Sequence, residues 1–145
     1  HQFGVEDQGW LAWFLIATLF HIPLTIYGNG KQVRDLLSVD DLIQAYEKAI
    51  DHIKITSGQI YNIGGGRDNA ISIWLECAPL IKSIAGSIPK ITYKKERPGD
   101  QPYFIADIRK AKRDFRWVPK ISYKKGIQLL YDWLHEHAEI IKRNL

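Results

Sequence analysis

The stretch at residues 24–41 reads LTIYGNGKQVRDLLSVDD, and its changes of pattern decide the fold class. Leu24–Tyr27 is a short β-branched and aromatic run that predicts a strand, which the turn at Gly28–Gly30 stops. An extended segment follows, and Asp40 or Asp41 is predicted to cap a helix. The residues of that helix at core-facing spacing are Leu42, Ala45, Tyr46 and Ala49.

Periodicity predicts further elements on both sides of this stretch. Residues 10–20 are apolar almost all round, as in a buried helix, and residues 126–143 form a long amphipathic one. We expect Pro79 to interrupt a helix at residues 71–85, because proline removes a backbone donor. The other predicted elements are extended segments at 32–39, 59–63, 91–93 and 103–105 and a short helix at 107–115. Strands alternate with helices, which favours an α/β fold.

The predicted strands are few and short, and long irregular loops separate them. A chain of 145 residues can form one compact domain with a core. The strands do not make a complete doubly wound sheet, so residues 1–145 read as a portion of a larger protein. We therefore expect an exposed apolar surface, which self-association into a homo-oligomer would hide. The residues expected to form it are Phe3, Trp10, Trp13 and Phe14.

Composition excludes several classes of protein. The longest apolar run has about half the length of roughly 20 residues that a membrane span needs, and acidic residues precede it, so we expect no membrane partner and a cytoplasmic location. The net charge is +4, but the basic residues are scattered among acids, which argues against nucleic acid. Cys77 stands alone among apolar residues and predicts a buried, inert thiol.

Three consecutive glycines, Gly64–Gly66, follow a predicted strand. A dinucleotide fingerprint needs G-x-G-x-x-G, but Asn69 stands at the last position. The glycines therefore predict a tight connection that needs positive φ. His135 and His137 are two residues apart on a helix, point to different faces and cannot chelate one metal together. We expect no metal site.

Two loops carry arginines suited to a diphosphate. Arg34 lies in an extended run after the glycine turn, where its planar fork can face paired anionic oxygens and Asp35 could orient it. The alternative is a local surface pair of Arg34 with Asp35. Arg97 precedes Pro98-Gly99, which fixes a turn, so the Arg97 side chain is expected to project from a defined point of the backbone. Two such arginines can clamp one diphosphate.

The sequence motifs around these arginines resemble those of the extended short-chain dehydrogenases/reductases that act on nucleotide sugars. The resemblance covers essentially the whole chain. Its opening segment, residues 2–14, is most similar to the 2-epimerase branch of that family, which acts on CDP-sugars. The motifs that carry the resemblance are YGNGKQVRDLLSVDD at 27–41, YNIGGG at 61–66, RPGD at 97–100, ADI at 106–108 and WVP at 117–119.

The resemblance implies that this chain is the C-terminal nucleotide-sugar-binding domain of a Rossmann-type enzyme. NAD and the catalytic Tyr-x-x-x-Lys pair would belong to an N-terminal half that this chain lacks, so no catalytic residue is expected here. Tyr27 and Lys31 have that spacing across a glycine turn, whereas the catalytic pair needs one helix face.

The resemblance also assigns binding roles to particular residues. Arg34 and Arg97 match the arginines that grip the diphosphate. The strand residues that match the wall against the base are Thr25, Ile26 and Tyr27. The residues that match the loop and helix start over the sugar nucleotide are Gln8, Gly9 and Trp10. Gln32 and Asp100 are candidates because they are near the arginines in sequence.

Three functions remain open. The first is the substrate-binding half of an NAD-dependent 2-epimerase, which would oxidise a sugar carbon and return hydride to the other face. The second is the same half of a 4-epimerase or 4,6-dehydratase. The third is a non-catalytic module that keeps only nucleotide affinity or a dimer surface.

Overall fold

The structure is a computed structural model, and it describes residues 9–145. The helices are α1 Trp10–Leu19, α2 Val39–Asp51, α3 Ile53–Thr56, α4 Cys77–Ala85, α5 Arg109–Phe115, α6 Tyr123–Glu136 and α7 Ala138–Lys142. The strands are β1 Leu24–Tyr27, β2 Val33–Asp35, β3 Ala70–Ser72, β4 Ile91–Lys94 and β5 Tyr103–Phe104. Strands and helices alternate as predicted, and the fold class is α/β.

The strands form two small sheets. Strand β1 pairs in parallel with β4, so that Leu24 lies opposite Ile91 and Tyr27 opposite Lys94. The second sheet has the order β3-β2-β5, with β2 parallel to β5. The parallel partners of β1 and β2, which are β4 and β5, come from residues about 70 positions further along the chain, so the sheets depend on long-range pairing.

The described chain divides into two compact units, of which the first comprises residues 9–32, Ser72–Pro102 and Ile127–Leu145. Helix α1 supplies much of its core, because Leu15, Ile16 and Ala17 are fully buried. Phe14 meets Trp74 edge to face, with ring centroids 5.4 Å apart. The predicted buried helix is therefore confirmed.

The second unit comprises Val33–Ile71 and Tyr103–Gly126. Its core consists of Ala45, Ala111, Phe115 and Trp117, and partly buried side chains pack against it. Tyr61 is one of these, and its ring meets Phe115 edge to face at 5.0 Å.

Two predicted helices have different bounds. Ser38, not Asp40 or Asp41, is the N-cap of α2, and its hydroxyl accepts a hydrogen bond from the Asp40 N–H. The helix predicted at 71–85 begins only at Cys77, so Pro79 lies in its first turn. Backbone N–H groups there have no intrahelical partner, so proline breaks no hydrogen bond, and the predicted interruption is wrong.

Two other predictions also need correction. Residues 59–63 form no strand, because no other segment within residues 9–145 pairs with them. The long helix begins earlier, at Tyr123, and is divided at His137, whose imidazole Nδ1 lies 2.9 Å from the Trp133 carbonyl oxygen. Tyr46, predicted to face the core of α2, is exposed, whereas Ala45 is buried.

The predicted apolar surface is not where we expected it. Phe14 is only 6% exposed, and Trp10 and Trp13 are half-buried. Phe3 lies outside the described residues. Large apolar side chains that are exposed occur on α2 instead, at Val39, Ile43, Tyr46 and Ile50. Within residues 9–145, no helix has the length and apolar character that crossing a membrane requires.

The prediction for Cys77 is confirmed. The side chain is fully buried at the start of α4, and burial raises the pKa of its thiol to about 12. A protonated thiol without solvent access is a poor nucleophile.

Candidate functional site

The carboxyl ends of β1 and β4 lie at one edge of their sheet. Tyr27 is the last residue of β1 and lies opposite Lys94, the last residue of β4. The ladder continues by one hydrogen bond, which the Gly28 N–H donates to the Lys94 carbonyl at 2.9 Å. In open parallel α/β sheets, ligands bind beyond the carboxyl ends of the strands. The loops that follow β1 and β4 are therefore the candidate site.

The glycine turn after β1 has a geometry that requires glycine. Gly28 and Gly30 have φ of +79° and +73°, which other residues rarely adopt. The Gly30 carbonyl accepts hydrogen bonds from the N–H groups of Trp74 and Leu75. The turn thereby has a fixed place against the segment that leads into α4.

The loop after β4 contains the predicted turn. The Asp100 N–H donates to the Arg97 carbonyl at 3.1 Å, and Gly99 has a φ of +80°. Pro98 and Gly99 occupy the two central positions, as in a type II turn. The expectation that Arg97 projects from a defined point is therefore confirmed.

Arg97 lies against Tyr27. Its guanidinium carbon is 4.0 Å from the centroid of the Tyr27 ring, the geometry of a cation–π contact. We expected this ring face to be available to a nucleotide base, but in the structure the guanidinium covers it. A guanidinium stacked in this way carries its N–H donors at its edge, where paired anionic oxygens can bind them.

Gln32 joins the two loops. Its amide Nε2 donates to the Tyr27 carbonyl at 2.8 Å and to the Asp100 carboxylate at 3.2 Å. Both partners are acceptors, which fixes the orientation of the amide. The side chain is 6% exposed, and its Oε1 is buried without a hydrogen-bond partner among the described residues. The structure thus brings together four of the predicted site residues: Tyr27, Gln32, Arg97 and Asp100.

The remaining predicted residues of β1 and α1 have different surroundings. Thr25 is half-buried and shares the strand face of Tyr27, whereas Ile26 is 1% exposed and offers a ligand only its backbone. Gly9 precedes α1 with a φ of +69°, and the half-buried Trp10 contacts Phe14. Gln8 lies outside the described residues.

Arg34 belongs to the second unit. It lies on β2 opposite Phe104, and its Nη1 donates to the Val33 carbonyl at 2.8 Å. The convergence of Arg34 and Arg97 on one diphosphate stays a prediction.

Asp35 has a role that sequence reasoning missed. Its Oδ2 accepts hydrogen bonds from the N–H groups of Gly66, at 2.8 Å, and Ala106, at 3.2 Å. It thereby joins three of the family-like motifs. The signal in the sequence was that these three motifs occur in one order along the chain. Their spacing in the sequence does not show that they are in contact.

The glycine run does not fit a dinucleotide phosphate. A Cβ at Gly64 would lie 2.6 Å from Asp35 Oδ2, and one at Gly65 would clash with the Leu36 carbonyl. The Gly66 N–H, which a phosphate would need, already donates to that carboxylate. Gly66 has a φ of +68°, so a close approach and one positive φ explain the three glycines. The described residues also contain no cluster of potential metal ligands.

Lys94 is a basic residue of this edge that sequence reasoning left out of the site. It is exposed and ends β4 one residue later than the predicted strand. The signal was its position between a predicted strand and the loop that carries Arg97.

The sequence matches the family model of GDP-mannose 4,6-dehydratase over residues 16–130. CDP-paratose 2-epimerase from Salmonella typhi is 39% identical over 137 residues, which are 91% of this chain and 40% of that protein. UDP-glucuronate 4-epimerase from Thermodesulfobacterium geofontis is 33% identical, over 83% of this chain and 36% of that protein.

Two solved structures are similar to this one. UDP-glucose 4-epimerase from Thermotoga maritima, with UDP-glucose, superimposes with a TM-score of 0.78 at 30% identity, over 90% of this chain and 40% of that one. UDP-glucuronic acid 4-epimerase from Bacillus cereus, in complex with UDP-glucuronic acid and NAD, gives 0.81 at 29% identity, also over 90% and 40%.

The chain spans about 40% of the length of these relatives. The range of the family match, residues 16–130, includes residues of both compact units, among them the glycine turn after β1, the Arg97 turn and Asp35. The chain belongs to the GDP-mannose 4,6-dehydratase family of nucleotide-sugar epimerases and dehydratases, within the extended short-chain dehydrogenases/reductases.

Proposed function

We propose that this chain is the nucleotide-sugar-binding portion of an NAD-dependent epimerase in the cytoplasm, of the CDP-paratose 2-epimerase type. The observation that carries the proposal is the cluster of Arg97, Tyr27 and Gln32 at the carboxyl ends of β1 and β4. It places a fixed cation at the sheet edge where α/β proteins bind ligands.

Each member of the cluster has a definite task. Arg97 binds the diphosphate through charge-assisted hydrogen bonds, and the Tyr27 ring beneath it limits its rotamers. Gln32 holds the Asp100 carboxylate and the Tyr27 carbonyl in one place. Thr25 and the backbone of Ile26 lie two residues and one residue before Tyr27, along the wall proposed for the base.

Arg34 is the second proposed contact to the diphosphate. The loop of Gln8, Gly9 and Trp10 is proposed to lie over the sugar nucleotide. Two arginines would neutralise most of the charge that a diphosphate carries. The other proposed candidates, Gln32 and Asp100, act on the position of Arg97.

NAD would accept a hydride from the sugar and return it to the opposite face. The glycine run of this chain does not fit that cofactor, since the Gly66 N–H already donates a hydrogen bond to the Asp35 carboxylate. We therefore assign NAD and the proton-transferring residues to the portion of a longer polypeptide that precedes this chain. The preceding portion would supply the catalytic residues and NAD, and the present chain would bind and orient the nucleotide sugar.

The choice of a CDP-sugar rests on the 39% identity to CDP-paratose 2-epimerase. The alternatives are a UDP-sugar 4-epimerase and a dTDP-glucose 4,6-dehydratase, because relatives of both kinds are at least 30% identical. A non-catalytic module is the remaining alternative. The reading frame that precedes His1 distinguishes it, since an enzyme requires G-x-x-G-x-x-G and Tyr-x-x-x-Lys there.

The diphosphate contacts are tested by calorimetric binding of CDP-, UDP- and dTDP-sugars to the longer protein. We expect Arg97→Ala and Arg34→Ala each to weaken binding about tenfold or more, because a hydrogen bond to a charged group contributes about 1.5–3 kcal/mol. Lysine at either position would restore binding only in part, since it lacks the planar fork.

Arg109→Ala is the matched control. This arginine is exposed, and its partner is Asp107, 2.6 Å away, so its loss should leave the dissociation constant unchanged. The clamp is refuted if either site variant binds as tightly as the wild type. A crystal structure with the two guanidinium groups on opposite faces would refute it as well.

A further inference from the structure

Three exposed lysines lie at the sheet edge that carries the ligand cluster of the first unit. Lys94 ends β4 and Lys95 follows it, while Lys31 lies in the loop that follows β1. We call Lys31, Lys94 and Lys95 the lysine rim. All three belong to the first unit, and the proposed function assigns a role to none of them.

The register of the sheet places Lys94 beside the ring that Arg97 covers. Lys94 is the partner of Tyr27 in the parallel ladder, and the Gly28 N–H donates to its carbonyl at 2.9 Å. Side chains of paired residues in a ladder point to the same face of the sheet. The Lys94 side chain therefore extends from the face on which the Arg97 guanidinium stacks on Tyr27, 4.0 Å from the ring centroid.

Lys31 also projects from a defined point of the backbone. Its N–H donates to the Asn29 side-chain oxygen Oδ1 at 3.0 Å, which closes a local turn. The Gly30 carbonyl, one residue earlier, accepts hydrogen bonds from two N–H groups of the segment that leads into α4. These contacts hold the backbone of Lys31 at the same sheet edge as Lys94.

The charges of the lysine rim are not neutralised within its own unit. Among residues 9–145, the three ammonium groups form no ion pair and no hydrogen bond, and Glu96, which is exposed, pairs with none of them. Residues 28–32 and 94–102 together contain four cations and two carboxylates. One of these carboxylates, that of Asp100, accepts a hydrogen bond from Gln32. The sheet edge therefore has an excess of positive charge.

The physical chemistry of exposed lysines decides what such a rim can do. A hydrated ammonium group on a flexible stem adds little to an equilibrium contact, because holding the side chain in one place costs entropy. Its charge still attracts an anion from a distance, and charges of one sign around a site raise the rate of association. The diphosphate of a nucleotide sugar has a negative charge on each phosphate, so this field attracts it.

We propose that the lysine rim steers the diphosphate of an incoming nucleotide sugar to Arg97. The lysines act before contact, because they raise the local concentration of the anion at the carboxyl ends of β1 and β4. The lysine rim therefore determines the association rate constant, whereas Arg97 determines how long the ligand stays bound. This inference rests on the proposed function, because it requires a diphosphate ligand at this edge.

The test is stopped-flow binding of CDP, UDP and dTDP to the longer protein, followed by tryptophan fluorescence. Trp74 is a reporter at this edge, because its side chain packs against the turn at Gly30. At an ionic strength of about 10 mM, where the Debye length is about 30 Å, Lys94→Gln should lower the association rate constant about threefold. A variant with glutamine at all three rim positions should lower it about tenfold.

Salt separates steering from contact. At about 1 M salt the Debye length is about 3 Å, so the rim variants and the wild type should associate at the same rate. The dissociation rate constant of each rim variant should equal that of the wild type at either ionic strength, because steering acts only on the approach of the ligand.

Two variants of the same strand and loop are matched controls. Lys90 is also exposed and precedes β4, so it lies at the opposite end of the strand, about 13 Å from Lys94 at roughly 3.3 Å per residue. Lys90→Gln removes the same charge and should change the association rate constant by less than about 1.5-fold. Glu96 has the opposite charge and follows Lys95, so Glu96→Gln should raise the association rate constant about twofold.

Three outcomes would overturn the proposal. They are equal association rates in Lys94→Gln and Lys90→Gln at low salt, slower association in Glu96→Gln, and an effect of Lys94→Gln confined to the dissociation rate constant. Calorimetry tests the proposed function separately. If none of the three nucleotides binds saturably, the proposed function fails as well, whereas saturable binding with unchanged association rates refutes the lysine rim alone.

Discussion

Gln32 is a single residue whose role depends on partners far away in the chain. Its amide joins the end of β1 to Asp100, 68 residues later. Both hydrogen bonds are donated by the same nitrogen, and the side chain is almost completely buried. A change at this residue should therefore affect the position of the Arg97 turn as well as the stability of the chain.

We expect Gln32→Leu to lower the free energy of unfolding by about 1–3 kcal/mol, because it leaves the Tyr27 carbonyl without its amide donor at a largely buried position. Urea unfolding followed by tryptophan fluorescence measures the change. Gln128→Leu is the control, since Gln128 donates to Asp132 in an exposed pair four residues apart on α6. Such pairs contribute roughly 0.2–0.5 kcal/mol. Equal losses in the two variants would contradict the role of Gln32.

Asp41 connects two elements, α2 and the segment before α6. Its two carboxylate oxygens accept hydrogen bonds from the N–H groups of Lys120, at 3.0 Å, and Ile121, at 2.9 Å. Its backbone carbonyl accepts one from the Trp117 indole at 3.0 Å. The carboxylate is buried, so this tertiary contact explains why an acid stands there, whereas we expected a helix cap.

We expect Asp41→Asn to lower the free energy of unfolding by about 1–3 kcal/mol, because the amide presents N–H groups to one of the two backbone donors. Asp40→Asn is the control in the same turn. Asp40 is exposed, so its loss should cost only the interaction with the helix dipole, about 0.3–1 kcal/mol. Thermal unfolding of both variants at one pH measures the difference. A larger loss in Asp40→Asn would contradict the buried contact.

The elements also show which local patterns are decisive. The strand at Leu24–Tyr27 and the turn at Arg97–Asp100 were predicted, because β-branched residues and a Pro-Gly pair restrict the backbone locally. The face of α2 that meets the core was not predicted correctly. Helical spacing groups Leu42, Ala45 and Tyr46 together, but it does not say which side of the helix meets the core.

For the whole molecule, the proposed division of labour predicts how the isolated 145-residue chain behaves. We expect it to retain no NAD after purification and to epimerise no nucleotide sugar, because its glycine run does not fit the cofactor. Chromatography of the nucleotide released on denaturation and a turnover assay with CDP-paratose measure both properties. The longer protein is the positive control. Turnover by the isolated chain would place the catalytic residues within it.

The sequence by itself determined the fold class, the family, the buried helix α1 and the fixed turn that carries Arg97. These follow from local periodicity, from turn chemistry and from motifs that stand in order along one chain. Only the tertiary structure decided that Arg97 lies on Tyr27, that Gln32 joins β1 to Asp100 and that Asp35 holds Gly66. It also decided that residues 60–63 have no strand partner within the described chain. The physical reason is that a hydrogen bond or a ring contact depends on its partner, and these partners lie about 30 to 70 residues away along the chain.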